Sequence, residues 1–298
     1  MTQAVAIQPI SNVRRPGWRG WGLFAPMLAW LALFVVAPTA ILLVYSFFTG
    51  EGIGEVDTHF TLQNYQRIFT PVYLDLFWRS IVYAGATTIL CALIGYPVAW
   101  YIGRAPASRR GKLLMLVMIP FMTSFLIRTY AWLIILHEHG LLNGFLEAAH
   151  LIPTVFSHPL NILYTPTAVM IALVYTYLPF MILPIYTSVE KLDPSLIEAA
   201  ADLGAGRTRS FFRVILPLTW PGVAAGILMV FVPAIAMFAV TKIMSGGHIR
   251  LIGDEIQEQF EGGGDLPFGS ALGMALLILF LVTYWISAGR GAKELRGA

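Results

Sequence analysis

Charged residues are scarce in this sequence of 298 residues: Asp, Glu, Lys and Arg make up 12% of it, whereas apolar residues make up 57%. A soluble domain of ordinary composition carries about 25% charged residues. The mean hydropathy of the chain is +0.73. This composition excludes an ordinary soluble domain and indicates a membrane protein.

The sequence also lacks the groups on which enzymes and ion-driven carriers depend. Cys91 is the single cysteine, so an intrachain disulfide is excluded. There is no G-x-x-x-x-G-K-[ST] phosphate loop, and no grouping of His, Asp, Ser or metal ligands supports catalysis. The apolar stretches contain no Asp or Glu, although proton- and sodium-coupled carriers generally need buried carboxylates. We therefore expect a non-catalytic chain that binds no cofactor and is energised by another protein. A passive channel and an ion-coupled secondary carrier are the alternatives.

Six stretches are long enough to cross a bilayer core, which takes about 20 mostly apolar residues. They are residues 21–48, 80–102, 113–136, 165–186, 222–240 and 268–288. The first is far longer than the apolar region of a signal peptide, about 7–15 residues, so we expect it to be retained. We predict an all-α polytopic membrane protein: tails at 1–20 and 289–298 flank one transmembrane domain at 21–288.

Basic residues are concentrated in every second segment that flanks these stretches, so they gather on one side of the membrane. They concentrate before the first stretch, between the second and third, between the fourth and fifth, and after the sixth. The residues are Arg14, Arg15, Arg19, Arg104, Arg109, Arg110, Lys112, Lys191, Arg207, Arg209, Arg213, Arg290, Lys293 and Arg296. Because short cytoplasmic segments are enriched in Lys and Arg, both termini and the loop at 187–221 are predicted to be cytoplasmic.

The longest polar interruption, at 191–222, carries signals for a short helix. Asp193 suits the N-cap, Pro194 the first helical position, and Gly204 the left-handed residue that ends a helix. The predicted helix spans 195–203, with an apolar face and a polar face. The apolar face comprises Leu196, Ala199, Ala200 and Leu203, and the polar face Ser195, Glu198 and Asp202. Since so short a helix is marginal alone, we expect it to dock against something.

The same loop resembles the cytoplasmic EAA loop of bacterial ABC importer permeases. The family's order of residues is met by Glu198, Ala199, Ala200, Gly204, Val214, Leu216 and Pro217, with Val214 where the family usually has Ile. The resemblance implies that the helix fits a groove on an ATPase subunit and transmits ATP-driven closure to the membrane. The docking residues would be Ser195, Leu196, Glu198, Ala199, Ala200, Asp202, Leu203 and Gly204. The alternative is an amphipathic connector between two membrane helices.

The wider sequence resembles the permeases of spermidine/putrescine ABC importers, which have the MetI-like fold. The matching stretches include FTLQNY at 60–65, GYPVAW at 95–100, IPFMTSFLIRTYAW at 119–132, LVYTYLPFMILPIY at 173–186 and LIGDEIQEQF at 251–260. This resemblance implies a bacterial inner-membrane protein that works with a second homologous permease, an ABC ATPase homodimer using ATP and Mg, and a periplasmic substrate-binding protein. No nucleic-acid partner is expected. Similar permeases import opines, aminobutyrate-like amines or phosphonates, so the small-molecule solute stays open.

Proline and aromatic residues within the apolar stretches indicate where a pathway could run. Pro97, Pro120, Pro179, Pro184 and Pro233 each free a backbone carbonyl and can kink a helix. Ordinary packing irregularity is the alternative explanation. The candidate lining residues are Arg128, Tyr130, Trp132, Tyr175, Tyr177, Phe180, Phe231 and Phe238. In a straight third helix Arg128 would lie about 22 Å from residue 113, near the outer end, as a gate residue or a membrane anchor.

The three outer loops carry weaker signals. Thr61 is predicted to cap a short interfacial helix. His137 and His139 could touch a metal ion, but no set of four ligands is visible, so no metal site is predicted. The loop at 241–267 is expected to be acidic, flexible and solvated. Its carboxylates, Asp254 and Glu255 among them, would otherwise meet a cationic substrate or the protein that delivers it.

Overall fold

The computed structural model describes residues 18–52, 55–150, 158–261 and 264–294. The tail residues Arg14, Arg15 and Arg296 and the glycines Gly262 and Gly263 therefore lie outside the described residues. The helices are α1 (Trp18–Leu31), α2 (Ala37–Tyr45), α3 (Gln63–Ile68), α4 (Pro71–Arg104), α5 (Ala107–Met118), α6 (Phe125–Leu136), α7 (Leu141–Ala148), α8 (Pro166–Glu190), α9 (Pro194–Asp202), α10 (Arg207–Ser210), α11 (Leu216–Ile235), α12 (Ala239–Ser245), α13 (Ile252–Glu261) and α14 (Leu266–Glu294). The all-α class is confirmed.

Short non-α segments join some of these helices. One π-helical turn, Ala32–Val36, connects α1 to α2, and another, Phe211–Ile215, connects α10 to α11. A 3₁₀ turn, Ile119–Met122, follows α5. One antiparallel hairpin of β1 (Thr49–Gly52) and β2 (Glu55–Asp57) pairs Thr49 with Asp57. It is an addition to the predicted all-helical chain.

The core is a three-helix unit of α4, α8 and α11 in which small residues let the backbones approach. Cys91 is fully buried on α4, as expected of a small packing residue. Gly222 and Gly226, four residues apart on α11, face α8. A Cβ added at Gly222 would lie 2.5 Å from the carbonyl oxygen of Pro184, and one at Gly226 would lie 2.6 Å from the sulfur of Met181. Such a pair of small residues is typical of close helix packing in membranes.

The third apolar stretch is not one straight helix, which corrects the prediction for 113–136. The chain bends by 87° between the segments Ala107–Met122 and Phe125–Ala148. Pro120 has no amide hydrogen, Thr123 has extended backbone angles and Ser124 is also non-helical, with ψ of 134°, so the helix cannot continue. Among the described residues, five helices are long and apolar enough to cross a membrane, or six if this bent pair forms one span.

The fifth span and the loop after it also differ from the prediction. The helix α11 ends at Ile235 instead of residue 240, and the chain turns there into the separate helix α12. Gly253 packs against the backbone of Ala236 at this turn, where a side chain would collide. The loop at 241–267 was expected to be flexible and solvated, but it forms α12 and α13.

The helices α12 and α13 and the start of α14 form a layer, which we call the outer layer, and hydrogen bonds fix it to the bundle. The backbone amide of Ile252, at the start of α13, donates to the hydroxyl of Ser80 near the N-terminal end of α4, over 2.8 Å. At the final helix, Asp265 accepts from Phe268 N–H and pairs with Arg67 over 3.0 Å. The whole layer therefore lies at the end of α4 opposite Arg104.

The short helix for which Thr61 was the predicted N-cap begins one residue later than predicted. The helix α3 begins at Gln63, with Leu62 at the N-cap. Thr61 Oγ1 nevertheless accepts a hydrogen bond from the Gln63 amide, over 3.2 Å. Asn64 is buried and donates to the carbonyl oxygens of Ser46 and Phe48, which holds α3 against the end of α2.

The contact between α8 and α11 can be tested with one matched pair of variants. Gly222→Ala should destabilise the protein by about 1–3 kcal/mol, because the new Cβ meets the rigid backbone at Pro184. Gly85→Ala on α4 is the control, since nothing lies within 4 Å of an added Cβ there. The measurement is the thermal unfolding of each variant in detergent. Equal stability of the two variants would contradict the close approach.

Candidate coupling surface and solute pathway

The short helix α9 has the predicted caps at both ends. At its start, an Asp193 side-chain oxygen accepts from the Ser195 backbone N–H over 2.9 Å, and this hydrogen bond lowers the pKa of Asp193. At its end, Gly204 has φ of +79°, the left-handed region. Gly204 N–H donates to Ala201 O and Ala205 N–H donates to Ala200 O, which is the Schellman pattern of helix termination. Both ends of α9 are therefore fixed by local hydrogen bonds.

The apolar face of α9 points mostly away from its own chain. Leu203 is 89% exposed, and Leu196 and Ala199 are exposed as well. Ala200 is the exception, because it is buried against the rest of the loop. The predicted docking residues thus form an outward surface of seven residues around the buried Ala200: Ser195, Leu196, Glu198, Ala199, Asp202, Leu203 and Gly204. We call these seven residues the coupling surface.

The coupling surface is carried by two membrane helices that contact each other. The helix α8 leads into it, and the chain returns through α10 and the π turn into α11. Glu190, at the end of α8, pairs with Arg110 of α5 over 3.1 Å. Tyr96 of α4 contacts the hydroxyl of Thr219 over 2.9 Å and the ring of Phe211 edge-on. The loop that carries α9 is therefore connected to α4, α5, α8 and α11 through direct contacts.

Three of the predicted pathway residues lie together beside the break in the third stretch. The guanidinium carbon of Arg128 is 5.9 Å from the ring centre of Tyr175, and Tyr175 packs edge-on against Trp132 at 5.4 Å. Sequence reasoning missed Phe121, whose ring centre is 5.3 Å from the same guanidinium. A fourth predicted lining residue, Phe180, packs on Phe121. The aromatic residues near Pro120 and Pro179 were the signal in the sequence that could have identified Phe121.

Arg128 is half-buried, and no carboxylate of the described residues pairs with its guanidinium. Its Nε atom is buried and has no hydrogen-bond partner within the described residues. The aromatic faces offer partial compensation through cation–π contact. The predicted 22 Å distance from residue 113 along one straight helix is wrong, because the chain bends between the two positions.

The other predicted pathway residues are dispersed. Tyr177 is only 3% exposed, and its hydroxyl donates to the carbonyl oxygen of Pro233, so the structure places it in the core instead of on an open surface. Phe231 is half-buried beside this core. Tyr130 is exposed on α6, and Phe238 lines a separate cavity of about 370 Å³ next to α13.

The outer-loop acids Asp254 and Glu255 are buried in the first turn of α13, which corrects the prediction of a solvated loop. Glu255 accepts a hydrogen bond from the side chain of Gln259 over 2.8 Å. Asp254 Oδ2 accepts from the backbone N–H of Leu251 over 2.9 Å. Burial raises the pKa of Asp254 to about 6, although that hydrogen bond and the charges of Lys242 and Arg250 act in the opposite direction.

The histidines of the second outer loop do not gather with other metal ligands. The backbone amide of His139 donates to Nδ1 of His137 over 3.3 Å. In the described ranges, no three His, Cys, Asp or Glu side chains lie close enough together to hold a metal ion. The segment 151–157 lies outside them.

Comparison with known proteins matches residues 93–288 to the family of binding-protein-dependent transport system inner membrane components. The spermidine/putrescine transport system permease protein PotB of Escherichia coli (strain K12) is 42% identical over 266 residues, which cover 88% of this chain and 95% of that protein. PotB of Haemophilus influenzae is 42% identical over 262 residues, covering 88% and 90%. A crystal structure of a bacterial ABC transporter involved in import of the polysaccharide alginate shares the fold, with a TM-score of 0.68, 16% identity, and coverage of 91% and 96%.

The termination of α9 can be tested at Gly204. Gly204→Ser should weaken α9 by about 1–2 kcal/mol, because a side chain is strained at a positive φ even where space is open. Gly206→Ser is the matched control: Gly206 has φ of −64° and occupies the N-cap of α10, where Ser is favoured. Amide hydrogen exchange in α9 should accelerate by roughly 5- to 30-fold in the first variant only. Equal exchange in both would contradict the assigned backbone conformation.

The burial of Asp254 predicts a pH dependence of stability. Its pKa is about 6 in the folded chain and 3.8 when unperturbed, so its contribution to stability is full below pH 4 and lost as the pH rises through 6. Asp254→Asn removes this loss. The stability of the variant relative to the original should therefore rise by on the order of 3 kcal/mol between pH 4 and pH 7.5.

The measurement is thermal unfolding of the purified protein across this pH range. Asp75→Asn is the matched control, because the Asp75 carboxylate is half exposed and pairs with Arg79. A pH-independent difference between Asp254→Asn and the original protein would show that Asp254 is not desolvated.

Proposed function

The chain belongs to the family of binding-protein-dependent transport system inner membrane components, and from this premise we propose that it is a permease subunit of an ATP-driven importer of polyamines such as spermidine and putrescine. The proposal of a polyamine rests on the similarity to PotB permeases at 42% identity along nearly the whole chain. Another small solute, such as an opine, an aminobutyrate-like amine or a phosphonate, is the alternative within the same importer class.

The partners follow from the family. The chain pairs with a second, homologous permease in the bacterial inner membrane, and a solute pathway runs between the two. An ABC ATPase homodimer on the cytoplasmic side binds and hydrolyses ATP with Mg, and a periplasmic binding protein delivers the solute. The distribution of basic residues supports cytoplasmic positions for both termini and for the coupling surface.

The exposed, rigidly capped helix α9 is the observation that carries the coupling role. An unsupported helix of nine residues would be marginal in water, yet α9 is capped at both ends and holds Leu196 and Leu203 outward. Burying each leucine in a groove on a partner contributes about 1.5–3 kcal/mol. When the ATPase subunits close, α9 moves with them and carries α8 and α11, which changes the side of the membrane to which the pathway opens.

The proposed pathway stabilises a cation mainly through aromatic rings. Phe121 packs on Phe180 and Trp132 packs on Tyr175 beside the bend after α5, and the Arg128 guanidinium contacts one ring of each pair. We call these four rings the aromatic cluster. Rings of this kind can contact an ammonium group through their faces. Arg128 opposes a cation at the same place, so a polyamine would pass along the ring faces away from its guanidinium. Net negative charge would come from elsewhere in the complex.

The test is ATPase activity of the complete complex in liposomes, with its binding protein and a panel of solutes. Spermidine or putrescine should stimulate hydrolysis, and Leu203→Glu should abolish this stimulation because it places a charge in the docking groove. Leu203→Met keeps an apolar side chain of similar size and should preserve coupling. Normal stimulation of the Leu203→Glu complex would remove α9 from the coupling mechanism. Stimulation by a different solute alone would replace the polyamine and keep the importer.

A further inference from the structure

Asp254 holds a carboxylate oxygen that has no hydrogen-bond partner among the described residues. The side chain is 8% exposed. Its Oδ2 atom accepts from Leu251 N–H at the start of α13, where an acidic residue at the third position commonly reaches back to the cap. Its Oδ1 atom is buried and has no hydrogen-bond partner in the described part of the chain. Leaving a buried charged acceptor unsatisfied is costly, so this oxygen needs a functional explanation.

The unsatisfied oxygen borders a cavity that contains a second acceptor of the same kind. The cavity has a volume of about 690 Å³ and is lined by α12, α13 and the loop between them. Gln257, one helical turn after Asp254, also lines it, and its buried Oε1 atom has no partner among the described residues. Its amide nitrogen donates to Glu261 over 2.7 Å, which directs the carbonyl oxygen away from that bond. Two free acceptors on one helix face call for a ligand that only donates.

The remaining charges of the cavity favour a cationic donor. Glu258 is paired with Arg250, so these two charges offset each other. Lys242 also lines the cavity, but no carboxylate lies within 4 Å of its ammonium group in the described ranges. With Asp254 ionised, Asp254, Glu258 and Glu261 outnumber the two cationic residues, so the cavity carries one excess negative charge.

The chemistry of the two acceptors identifies the ligand class. A primary ammonium group carries a positive charge and three N–H donors but no acceptor, so it can satisfy Asp254 and Gln257 together. A hydrogen bond between an ammonium and a carboxylate is among the stronger kinds. A neutral hydroxyl could serve one acceptor but would leave the carboxylate charge uncompensated.

The cavity lies at the end of α4 opposite the coupling surface, where a solute would first meet the permease. The backbone of Ile252 is bonded to Ser80 near the start of α4, whereas the coupling surface lies near the other end of that helix, at Arg110 and Glu190. We propose that Asp254 and Gln257 bind a protonated primary amine of the solute at the outer mouth of the permease, before it reaches the aromatic cluster. This inference rests on the proposed importer function and assigns a first contact for its cationic substrate.

The experiment measures thermal unfolding of the assembled permease–ATPase complex in nanodiscs at pH 8, without the binding protein. Putrescine dihydrochloride is the probe, and 1,4-butanediol is its neutral counterpart with hydroxyls in place of the amines. Putrescine should raise the unfolding temperature of the original complex in a saturable manner, and butanediol should not. Sodium chloride at matched ionic strength accounts for general screening by salt.

Two variants locate the site. Asp254→Asn keeps an acceptor for Leu251 N–H and should weaken putrescine binding by about tenfold or more, because the charge is removed. Gln257→Met removes the second acceptor and should weaken binding by a smaller factor. The control is Asp75→Asn, which removes a half-exposed carboxylate paired with Arg79 on α4 and should bind putrescine like the original complex.

Equal putrescine shifts in the original complex and in Asp254→Asn, or equal shifts with butanediol, would overturn the site. The proposed function is tested separately by solute-stimulated ATPase activity with the binding protein. Stimulation by spermidine together with an Asp254-independent shift would refute this inference and leave the polyamine importer intact. An Asp254-dependent putrescine shift in a complex stimulated only by a non-amine solute would keep the amine site and refute the proposed substrate.

Discussion

The close contact between α8 and α11 is the constraint on which the rest of the structure depends. Gly222 and Gly226 bring the α11 backbone against Pro184 and Met181 of α8. Because α8 leads into the loop that carries α9 and α11 follows that loop, this contact fixes the distance between the two ends of the loop. The helix α9 can therefore be short, held by its own caps, and still occupy one position relative to the membrane bundle.

Local features could be predicted from sequence far better than tertiary ones. Asp193, Pro194 and Gly204 act within a few residues of themselves, so the ends of α9 followed directly from the sequence. The bend after Pro120 could be anticipated only as a kink, because its size depends on how α6 packs elsewhere. The burial of Asp254 was missed because the charged segment 254–265 has the composition of a solvated loop, and the contacts of α13 with α4, α12 and α14 are tertiary.

Arg128 and Asp254 each carry a buried side-chain atom that has no hydrogen-bond partner in the described residues, and they lie on different elements with different surroundings. Arg128 is surrounded by aromatic rings beside the bend, and Asp254 borders a polar cavity in the outer layer. A chain that needed only to be stable would avoid both, because each costs free energy in the folded state. This separation is consistent with the proposed order, in which Asp254 binds an amine before the solute reaches the aromatic cluster.

The π turn at Phe211–Ile215 gives the junction between the loop and α11 one residue more than an α-helix of the same length needs. In an α-helix each residue turns the following side chains by about 100°. Loss of this extra residue would rotate α10 relative to α11 by about that angle. The junction therefore sets the angle between α10 and α11, so it fixes which face of α10 points away from the bundle while Gly222 and Gly226 face α8. The length of this short segment therefore determines the relative orientation of the helices on its two sides.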